Sequence, residues 1–479
     1  MRRGEYAVAV MLWLAGAAAA QSVITSPQSF QGLSADGLAP PNTTGKAGAT
    51  QFVQFVNNEY AVYEKSSGRP LQGPRDISSF WQQTSGPCAA PNGGEAMVEY
   101  DKAPPLSPQN GRWVMAELTN TNPAYYCFAV SETPDATGAF YPPYAFKFEK
   151  GQNPSRPRLG VWPDAYYASF NIQPSGEAAA PLAVAYDRLD MIKGHAALAP
   201  VVRHPKAQIN FLPADFDGST PPTPGDYYLE VGGSSFLSLW RFFPNFQDPS
   251  SSKFTPIARK LMMPSTHGVG CSINPSQWDQ PFVPQEGAPQ ALLLAYPEQL
   301  MYRLAWRNVG GVEHLLANET VVLSSTPPVA GIVWFDIESP ASEPVVKQEG
   351  VVAEPVTANA SSYWMGSLAQ DLNGDIALGF NASGPQQYPS LELAGRLVTD
   401  QADTMRLLGT LVTGGGAQTN TALWGTHADM SVDPTDDCTF WFTGEYVATP
   451  SAAFDWTTLI SSFQFTACQP PPATAIRTR

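Results

Sequence analysis

Residues 363–383 read YWMGSLAQDLNGDIALGFNAS, and this stretch predicts a β-hairpin. A first apolar run at residues 364–369 leads into the turn sequence DLNGD at residues 371–375, and a second apolar run follows at residues 376–380. Asp and Asn side chains cap tight turns, and Gly adopts positive φ without steric cost. Two apolar runs around such a turn are typical of a hairpin.

The chain repeats this pattern six more times. Each repeat has an apolar run, an Asp or Asn, a loop and then a run rich in aromatic and β-branched residues; the turn residues are Asn57, Asp101, Asp164, Asp215, Asn308 and Asp433. Repeats of roughly 40–65 residues with three or four strands each are typical of propeller blades. We therefore predict an all-β protein, a single β-propeller with seven blades of three to four antiparallel strands, in which the N- and C-terminal segments meet in one blade.

The turn aspartates have a structural explanation. Asp accepts hydrogen bonds from the backbone N–H groups of a turn. We therefore expect turn caps, all at one face of the ring, at Asp101, Asp164, Asp215, Asp371 and Asp433. Residues 371–375 also match the opening of an EF-hand calcium loop, but the twelfth position is Ala382, where that loop needs Glu.

Composition supports many short strands and argues against a nucleic-acid partner. The chain has 46 Pro and 39 Gly among 479 residues, and only 14% of its residues are charged, which suits strands separated by turns. The net charge of −15 repels phosphate backbones. We expect a glycan or an extracellular protein as the partner, and no nucleic acid.

The ends of the chain predict export. Arg2 and Arg3 precede a short apolar run that ends in three alanines at residues 18–20, as in a secretory signal peptide. No later segment has the roughly 18 uninterrupted apolar residues of a membrane span. We predict a secreted, extracellular protein organised as a signal peptide (1–20), an N-terminal extension (21–49), the β-propeller (50–468) and a disordered, Pro-rich tail (469–479).

Five cysteines in an exported chain are disulfide candidates. Cys88 and Cys127 flank the first strands of one blade, and Cys438 and Cys468 lie in the last blade, so we predict one bridge within each pair. Cys271 is then left over, as a free thiol or a partner in an intermolecular bridge.

Four sequons and the scattered histidines complete the site survey. The sequons make glycosylation candidates of Asn42, Asn318, Asn359 and Asn381. The five histidines form no His-x-x-x-His or His-Glu-x-x-His pattern, so zinc chemistry is not predicted, and His314 is interpreted as a core residue. No Gly-x-Ser-x-Gly motif occurs. We predict no metal and no cofactor.

The chain resembles a family of secreted bacterial-type β-propeller proteins described as hypothetical exported proteins. The resemblance rests on stretches such as APPNTTGKAGATQFVQFVN, LGVWPDAYYASFN, LMYRLAWRN and MSVDPTDDCTFWFTGEY, which touch every blade from about residue 35 to 468. It implies the fold and the export and leaves the function open. Relatives carry Arg where Tyr363 stands and the sequence Arg-Trp-Gly-Asp-Tyr at residues 423–427, so this copy has lost charged groups there.

The residues just before each innermost strand are the candidates for chemistry, because ligands usually bind at the rim of the axial channel. Glu95 and Glu298 are candidate catalytic acids, since paired carboxylates can act as acid and base on a glycosidic bond. Candidate ligand-binding residues at the same mouth are Arg158, Tyr302, Arg303, Trp364, His427 and Asp429. Arginines hold carboxylate-bearing sugars, and aromatic rings stack on sugar faces.

Two functions remain open at this point. One is a glycan-binding or protein-interaction propeller of the cell surface or extracellular matrix. The alternative is a carbohydrate-active enzyme, a glycoside hydrolase or lyase, with its acids at the axial mouth. Glu–Arg pairs that only neutralise one another inside a filled channel would favour a scaffold. We expect any ligand at the axial mouth, and a largest open polar pocket at the Asp101, Asp371 and Asp433 end would reverse this assignment.

Overall fold

The predicted all-β class is confirmed. The computed structural model describes residues 23–25, 28–81, 86–89, 94–231, 236–262, 280–297, 299–449 and 456–470. Within these ranges, helical structure is limited to short pieces: α1 (Ile77–Trp81), α2 (Arg188–Met191) and three 3₁₀ turns (Pro87–Ala89, Pro108–Asn110 and Pro249–Ser251). Everything else that is regular in these ranges is strand, separated by the turns that the abundance of Pro and Gly predicts.

The strands form consecutive four-stranded antiparallel sets. The first set contains β2 (Thr44–Ala47), β3 (Gln51–Val56), β4 (Glu59–Glu64) and β5 (Pro70–Asp76). The second contains β6 (Met97–Asp101), β7 (Arg112–Leu118), β8 (Tyr125–Val130) and β9 (Tyr144–Lys147). The third contains β10 (Pro154–Val161), β11 (Tyr166–Ile172), β12 (Ala180–Tyr186) and β13 (Val201–Arg203).

The next three sets follow the same order along the chain. The fourth contains β14 (Leu212–Phe216), β15 (Asp226–Val231), β16 (Phe236–Phe243) and β17 (Lys253–Met262). The fifth contains β18 (Leu304–Val309), β19 (Val312–Ser325), β20 (Pro328–Glu338) and β21 (Val345–Val352). The sixth contains β22 (Ser362–Gln370), β23 (Ile376–Gly384), β24 (Gln387–Arg396) and β25 (Arg406–Val412).

The seventh set joins the two ends of the chain. It contains β26 (Asp429–Val432), β27 (Phe440–Val447), β28 (Trp456–Phe463) and the N-terminal strand β1 (Gln28–Ser34), which pairs antiparallel with β28. Residues 28–34 and 44–47, assigned from the sequence to an extension, are therefore strands of the propeller. The predicted meeting of the N- and C-terminal segments in one blade is therefore observed, although QSFQGLS and TGKA lack the clear apolar run that would have marked them as strands.

The first strands of the sets surround a common axis. Neighbouring first strands contact each other all the way round, and β14 pairs in parallel with β18 at Asp215 and Ala305. We call the side where these strands begin the start face and the side where they end the turn face. Because β2 is the first strand of its set, the turn at Asn57 joins β3 to β4 and not the innermost strand to its neighbour.

The opening hairpin forms as predicted, with Leu368 of β22 opposite Leu378 of β23. Its turn is capped by Asp371, whose Oδ1 accepts the backbone N–H groups of Asn373 (2.9 Å) and Asp375 (3.0 Å). Gly374 has φ of 91°, which a side chain would strain. The local turn chemistry thus fixes the register of this hairpin.

Asp215 departs from the turn-cap prediction. Oδ1 of Asp101 accepts the N–H of Ala103, and Oδ1 of Asp433 accepts that of Thr435, as expected of caps. Asp215 lies buried inside strand β14, and its Oδ1 accepts the backbone N–H of Val161 on the neighbouring third set and not one of its own turn. Its side chain binds cations there, so the sequence interpretation of this residue is corrected.

Both predicted disulfides are present. Cys88 is bonded to Cys127, and Cys438 is bonded to Cys468. The second bond links the start of β27 to the end of β28, next to the strand that the N-terminus adds. Cys271 lies outside the described residues. No helix in the described ranges is long and apolar enough to cross a membrane.

The chain between β17 and β18 covers part of the start face. Its described residues 280–297 and 299–303 pack apolar side chains, including Val283, Leu294 and Met301, against Trp364 and Trp424. A backbone N–H bond from Leu294 to the carbonyl of Ala422 ties this segment to the chain before β26. We call residues 280–303 the covering segment.

Candidate functional site

Charged side chains fill the axis of the ring. The Nζ of Lys46, on β2, lies 3.1 Å from Asp429 Oδ1, 3.4 Å from Asp215 Oδ2 and 3.5 Å from Glu99 Oε1. All four side chains are buried, and each comes from a different sheet. One lysine therefore ties together the innermost strands of the first, second, fourth and seventh sets.

Arg303 is the second cation of the axis. Its Nε donates to Asp215 Oδ2 at 2.8 Å, and its Nη1 donates to Asp217 Oδ2 at 2.7 Å. Nη1 also donates to the carbonyl of Met430 at 3.1 Å. The guanidinium is fully buried, so its planar set of N–H groups is used for structure across the axis.

Tyr302 completes this arrangement. Its hydroxyl donates to Glu99 Oε1 and to the carbonyl of Leu159, and its ring lies 5.3 Å from Lys46 Nζ. We define Lys46, Glu99, Asp215, Asp217, Tyr302, Arg303 and Asp429 as the axial cluster.

The axial cluster contains more acids than bases. Even with the buried Lys102 beside Lys46 and Arg303, three cations face four carboxylates, so full ionisation would leave excess negative charge in a buried site. Burial, reinforced by Asp215, raises the pKa of Glu99 well above its ordinary value. Burial would also raise the pKa of Asp215, but Arg303 and Lys46 together hold that pKa below its ordinary value. Burial raises the pKa of Asp429 as well, so Glu99 and Asp429 are shifted towards the protonated form and Asp215 towards the ionised form.

The axis leaves little room for a substrate. A cavity of about 20 Å³ lies beside Lys46, Glu99, Asp215 and Lys102. That volume suits about one water molecule. A glycosidase that uses two carboxylates needs space for a sugar between them.

The predicted mouth residues are largely buried. His427 is 1% exposed, and burial followed by the nearby charge of Arg158 keeps its pKa well below the ordinary value. Its Nδ1 lies 2.9 Å from the Oγ1 of Thr426, which also contacts Asn42. A neutral, buried imidazole beside Tyr302 is a packing element of the wall.

Glu95 and Arg158 lie near the start face. Glu95 is half-buried, and its Oε2 accepts the backbone N–H of Arg156 at 2.7 Å. Arg158 is buried; burial lowers its pKa to about 10 despite the opposing charge of Glu95. Glu298, the other candidate acid, lies outside the described residues, so its distance from Glu95 is not defined.

Trp364 does not offer a stacking surface. Its ring is fully buried and lies 5.9 Å, centroid to centroid, from that of Trp424, beneath the covering segment. The expected contact between this ring and a sugar face is therefore corrected. Of the predicted mouth residues, the structure brings Tyr302, Arg303 and Asp429 together in the axial cluster and leaves Trp364 in a separate apolar layer.

Of two open cavities that described residues line, the larger is on the turn face, where the first and seventh sheets meet. It has a volume of about 550 Å³ and is lined by residues that include Gln28, Thr50, Glu64, Lys65, Leu71, Asp433 and Trp441. We call it the junction groove. A second cavity of about 260 Å³ lies between the second and third sheets, beside Phe146, Lys147 and Val202.

The junction groove has an ordered polar floor. Lys65 Nζ lies 2.8 Å from Asp433 Oδ2 and donates to the carbonyl of Gly48 at 2.8 Å. The indole N–H of Trp441 donates to the same Asp433 oxygen at 3.0 Å. Thr50 and Leu71 are exposed on its walls. The groove thus combines a fixed ion pair with hydroxyl, amide and apolar groups.

Comparison with known proteins bears on the fold alone. No family model matches the chain, and no curated protein matches it. Solved structures with a similar fold include β-propeller proteins.

Three of these structures show how low the sequence identity and the structural similarity to this chain are. Drosophila Plexin A in complex with Semaphorin 1b is 8% identical, with a TM-score of 0.37, over 90% of this chain and 86% of that chain. Drosophila Semaphorin 1b gives 7% identity, a TM-score of 0.35 and the same coverage. An α-L-arabinanase of Penicillium chrysogenum complexed with arabinobiose is 11% identical in sequence, with a TM-score of 0.32, over 76% of this chain and 98% of that chain. These likenesses carry no argument about function.

Two of the four sequons are incompatible with a glycan in the folded protein. The side chains of Asn318 and Asn381 are fully buried within β19 and β23. The Nδ2 of Asn381 donates to the carbonyl of Glu445 at 2.7 Å, so a sugar on this nitrogen would break the contact between two sheets. Asn42 is 7% exposed and Asn359 is exposed, which leaves Asn359 as the accessible candidate.

Sequence reasoning missed Lys46, Glu99 and Asp217. Lys46 lies in the short strand TGKA, and Glu99 lies at an alternate position of the strand MVEYD. Alternation places every second residue of a first strand towards the axis, which was an available signal for Glu99. Lys46 and Asp215 are 169 residues apart, so no local pattern could have paired them.

Proposed function

We propose that this protein is an exported, glycan-binding β-propeller whose axis is structural and whose ligand binds in the junction groove. The observation that carries the proposal is the contrast between a filled axis and an open groove. The axial acids are held by Lys46 and Arg303 around a cavity of about 20 Å³, whereas the groove offers about 550 Å³.

The state of the axial acids supports a structural role. A working acid pair needs solvent access and room for the substrate. Asp215 and Asp217 are bound to Arg303, and Asp429 is bound to Lys46, with all three carboxylates buried. Acids that are capped by cations inside a filled channel favour a scaffold over a hydrolase.

The shape and chemistry of the groove support a glycan ligand over a protein partner. Its volume lies in the range of small-ligand pockets, and its walls supply Gln28, Thr50 and Ser462 as hydrogen-bonding groups. Leu71 adds an exposed apolar edge against which the C–H face of a sugar can pack. Protein interfaces are usually broader surfaces than a groove of this size.

Export is supported by the two disulfides and by the N-terminal sequence. Disulfides persist in oxidising compartments outside the cytosol. The charged start, the apolar run and the alanines at residues 18–20 have the order of a signal peptide.

A glycan array combined with a polysaccharide hydrolysis screen tests the proposal. The wild type is compared with Thr50→Trp, which places an indole in the groove, and with Thr220→Trp, an exposed threonine elsewhere on the chain. We expect binding to a subset of glycans, no hydrolysis, loss of binding in Thr50→Trp and unchanged binding in Thr220→Trp.

The enzyme alternative makes the opposite prediction. Hydrolysis or lyase cleavage by the wild type that disappears in Glu95→Gln or Glu298→Gln would establish catalysis at the axial mouth. Binding that survives Thr50→Trp would overturn the groove as the ligand site. A protein that binds no glycan but captures an extracellular protein through the same groove would overturn the ligand class.

A further inference from the structure

Three metal-ligating side chains meet on the fifth sheet, away from the axis and the groove. One donor atom from each of His314, Asp336 and Glu338 lies within 4.8 Å of the other two. His314 Nδ1 is 2.8 Å from Asp336 Oδ1. His314 and Asp336 are buried, whereas Glu338 is half-buried, so the cluster has one side towards solvent.

The register of two strands creates this cluster. His314 of β19 is directly opposite Glu338 of β20, and Asp336 precedes Glu338 by two residues on the same strand. Residues two apart on a strand share a face, and opposite residues on paired strands lie side by side. Three donors are therefore held on one face by backbone hydrogen bonding and not by a flexible loop.

We propose that His314, Asp336 and Glu338 bind one Zn²⁺ ion. An imidazole nitrogen with two carboxylates is a ligand set that zinc accepts, and a fourth position would hold water. Calcium prefers six to eight oxygen ligands, which three side chains with one nitrogen do not supply. This site is independent of the proposed glycan-binding function.

The geometry needs only a small adjustment to fit the ion. Tetrahedral ligands about 2.1 Å from zinc are about 3.4 Å apart. His314 Nδ1 and Asp336 Oδ1 lie 2.8 Å apart and must separate by about 0.6 Å, while the Glu338 carboxylate must approach by up to about 1.4 Å. The carboxylate of Glu338 is partly exposed and can rotate, and zinc takes the place of the proton between His314 Nδ1 and Asp336 Oδ1.

Two neighbouring cations compete with zinc. Lys347 Nζ lies 3.5 Å from Glu338 Oε2, and its side chain is 56% exposed, so it can swing into solvent. Arg396 of the sixth sheet lies near Asp336 and interacts with its charge. The Nη2 of Arg396 donates to the carbonyl of Asp400. Replacing Lys347 should therefore strengthen zinc binding.

Calorimetric titration of the chelator-treated, full-length protein with Zn²⁺ tests the site. We expect one ion per chain, at least a tenfold loss of affinity in His314→Ala and Glu338→Gln, and a severalfold gain in Lys347→Gln. His195→Ala is the matched control, because His195 also lies beside an acid, Asp190, but in an exposed pair. Cys271→Ser controls for zinc binding by the one cysteine that the two disulfides leave over.

Two further readouts separate ligation from folding. Zn²⁺ should raise the melting temperature of the wild type and of His195→Ala but not that of His314→Ala. Co²⁺ should give the absorption spectrum of a tetrahedral site with the wild type, and Glu338→Gln should lose it even if His314→Ala fails to fold. A titration that is unchanged by Glu338→Gln and Lys347→Gln, or a zinc signal that disappears in Cys271→Ser, would overturn the proposal.

Discussion

Two lysines of this propeller each form an ion pair with aspartate, but in different surroundings. Lys46 lies in the axis against three carboxylates and is 4% exposed at its side chain, whereas Lys65 lies on the floor of the junction groove against Asp433 and is 12% exposed. The first is surrounded by other sheets; the second borders an open volume of about 550 Å³. The difference indicates that solvent access, and not the presence of charge, separates a structural cluster from a candidate binding site.

The largest effect is expected in the axial cluster. Asp215→Asn removes a carboxylate that contacts both Arg303 and Lys46, and it leaves two buried cations with fewer partners. We expect a loss of about 3–5 kcal/mol in the free energy of unfolding, measured with denaturant.

The matched control is Glu99→Gln. Burial raises the pKa of Glu99 and so favours its neutral form, and a neutral Gln can still accept the hydroxyl proton of Tyr302. Its cost should be about 1 kcal/mol or less. Equal losses in the two variants would contradict the shift of Glu99 towards its neutral form.

Breaking the ring closure should come next. Replacing Cys438 and Cys468 by Ser removes a cross-link that spans 30 residues, and should cost about 3–4 kcal/mol in the chain-entropy model. Because the seventh sheet forms one wall of the junction groove, glycan binding should weaken as well. The Cys88–Cys127 pair spans 39 residues in the second sheet and is the control. Its removal should cost similar stability and leave glycan binding unchanged. If binding weakens only when the Cys88–Cys127 bond is removed, the ligand does not bind in the junction groove.

The pH dependence of stability should come from buried acids. Burial raises the pKa of Glu445 to about 7. The unfolded chain ionises this group at lower pH than the folded protein, so its contribution is present below the unfolded pKa and is lost as pH rises towards 7. We expect Glu445→Gln to stabilise the protein at pH 8 by on the order of 1–3 kcal/mol and to have less effect at pH 4. A destabilisation that is equal at both pH values would contradict this.

The smallest effect on stability is expected in the groove. Lys65→Met removes a largely buried ion pair, but Asp433 keeps the N–H groups of Thr435 and Trp441 as donors, so we expect a loss of about 1–2 kcal/mol in stability. Glycan affinity should nevertheless fall at least tenfold if the ion pair positions the ligand. Lys147→Met, in the cavity between the second and third sheets, is the control and should leave affinity unchanged. A large loss of stability with unchanged affinity would make Lys65 a structural residue like Lys46.

The sequence predicted the parts of this structure that depend on local chemistry. The hairpin capped by Asp371 and the two disulfides follow from short patterns and from spacing. The axial cluster could not be predicted because Lys46 meets Asp215 and Asp429 only when the ring closes. Asp215 was assigned to a turn because an Asp at the end of a strand gives the same local sequence pattern in two cases: when it caps a turn and when it binds a distant cation.

The candidate site was predicted less well than the fold. The mouth residues were chosen by position before each innermost strand, but the covering segment buries Trp364, and His427 and Arg303 face other side chains. The position of Trp364 before its strand does not reveal that the covering segment, which is distant in sequence, packs over it. The junction groove was missed because it forms where β3 and β4 meet β27, at opposite ends of the chain.

Hydrogen exchange with and without the best glycan from the array locates the bound ligand. We expect ligand-induced protection in peptides that contain residues 49–51, 64–66 and 433–441, with no change in peptides from residues 94–101 and 299–303. Protection at residues 94–101 and 299–303, with none around Lys65, would place the ligand at the axial mouth and contradict the claim that the axis is structural.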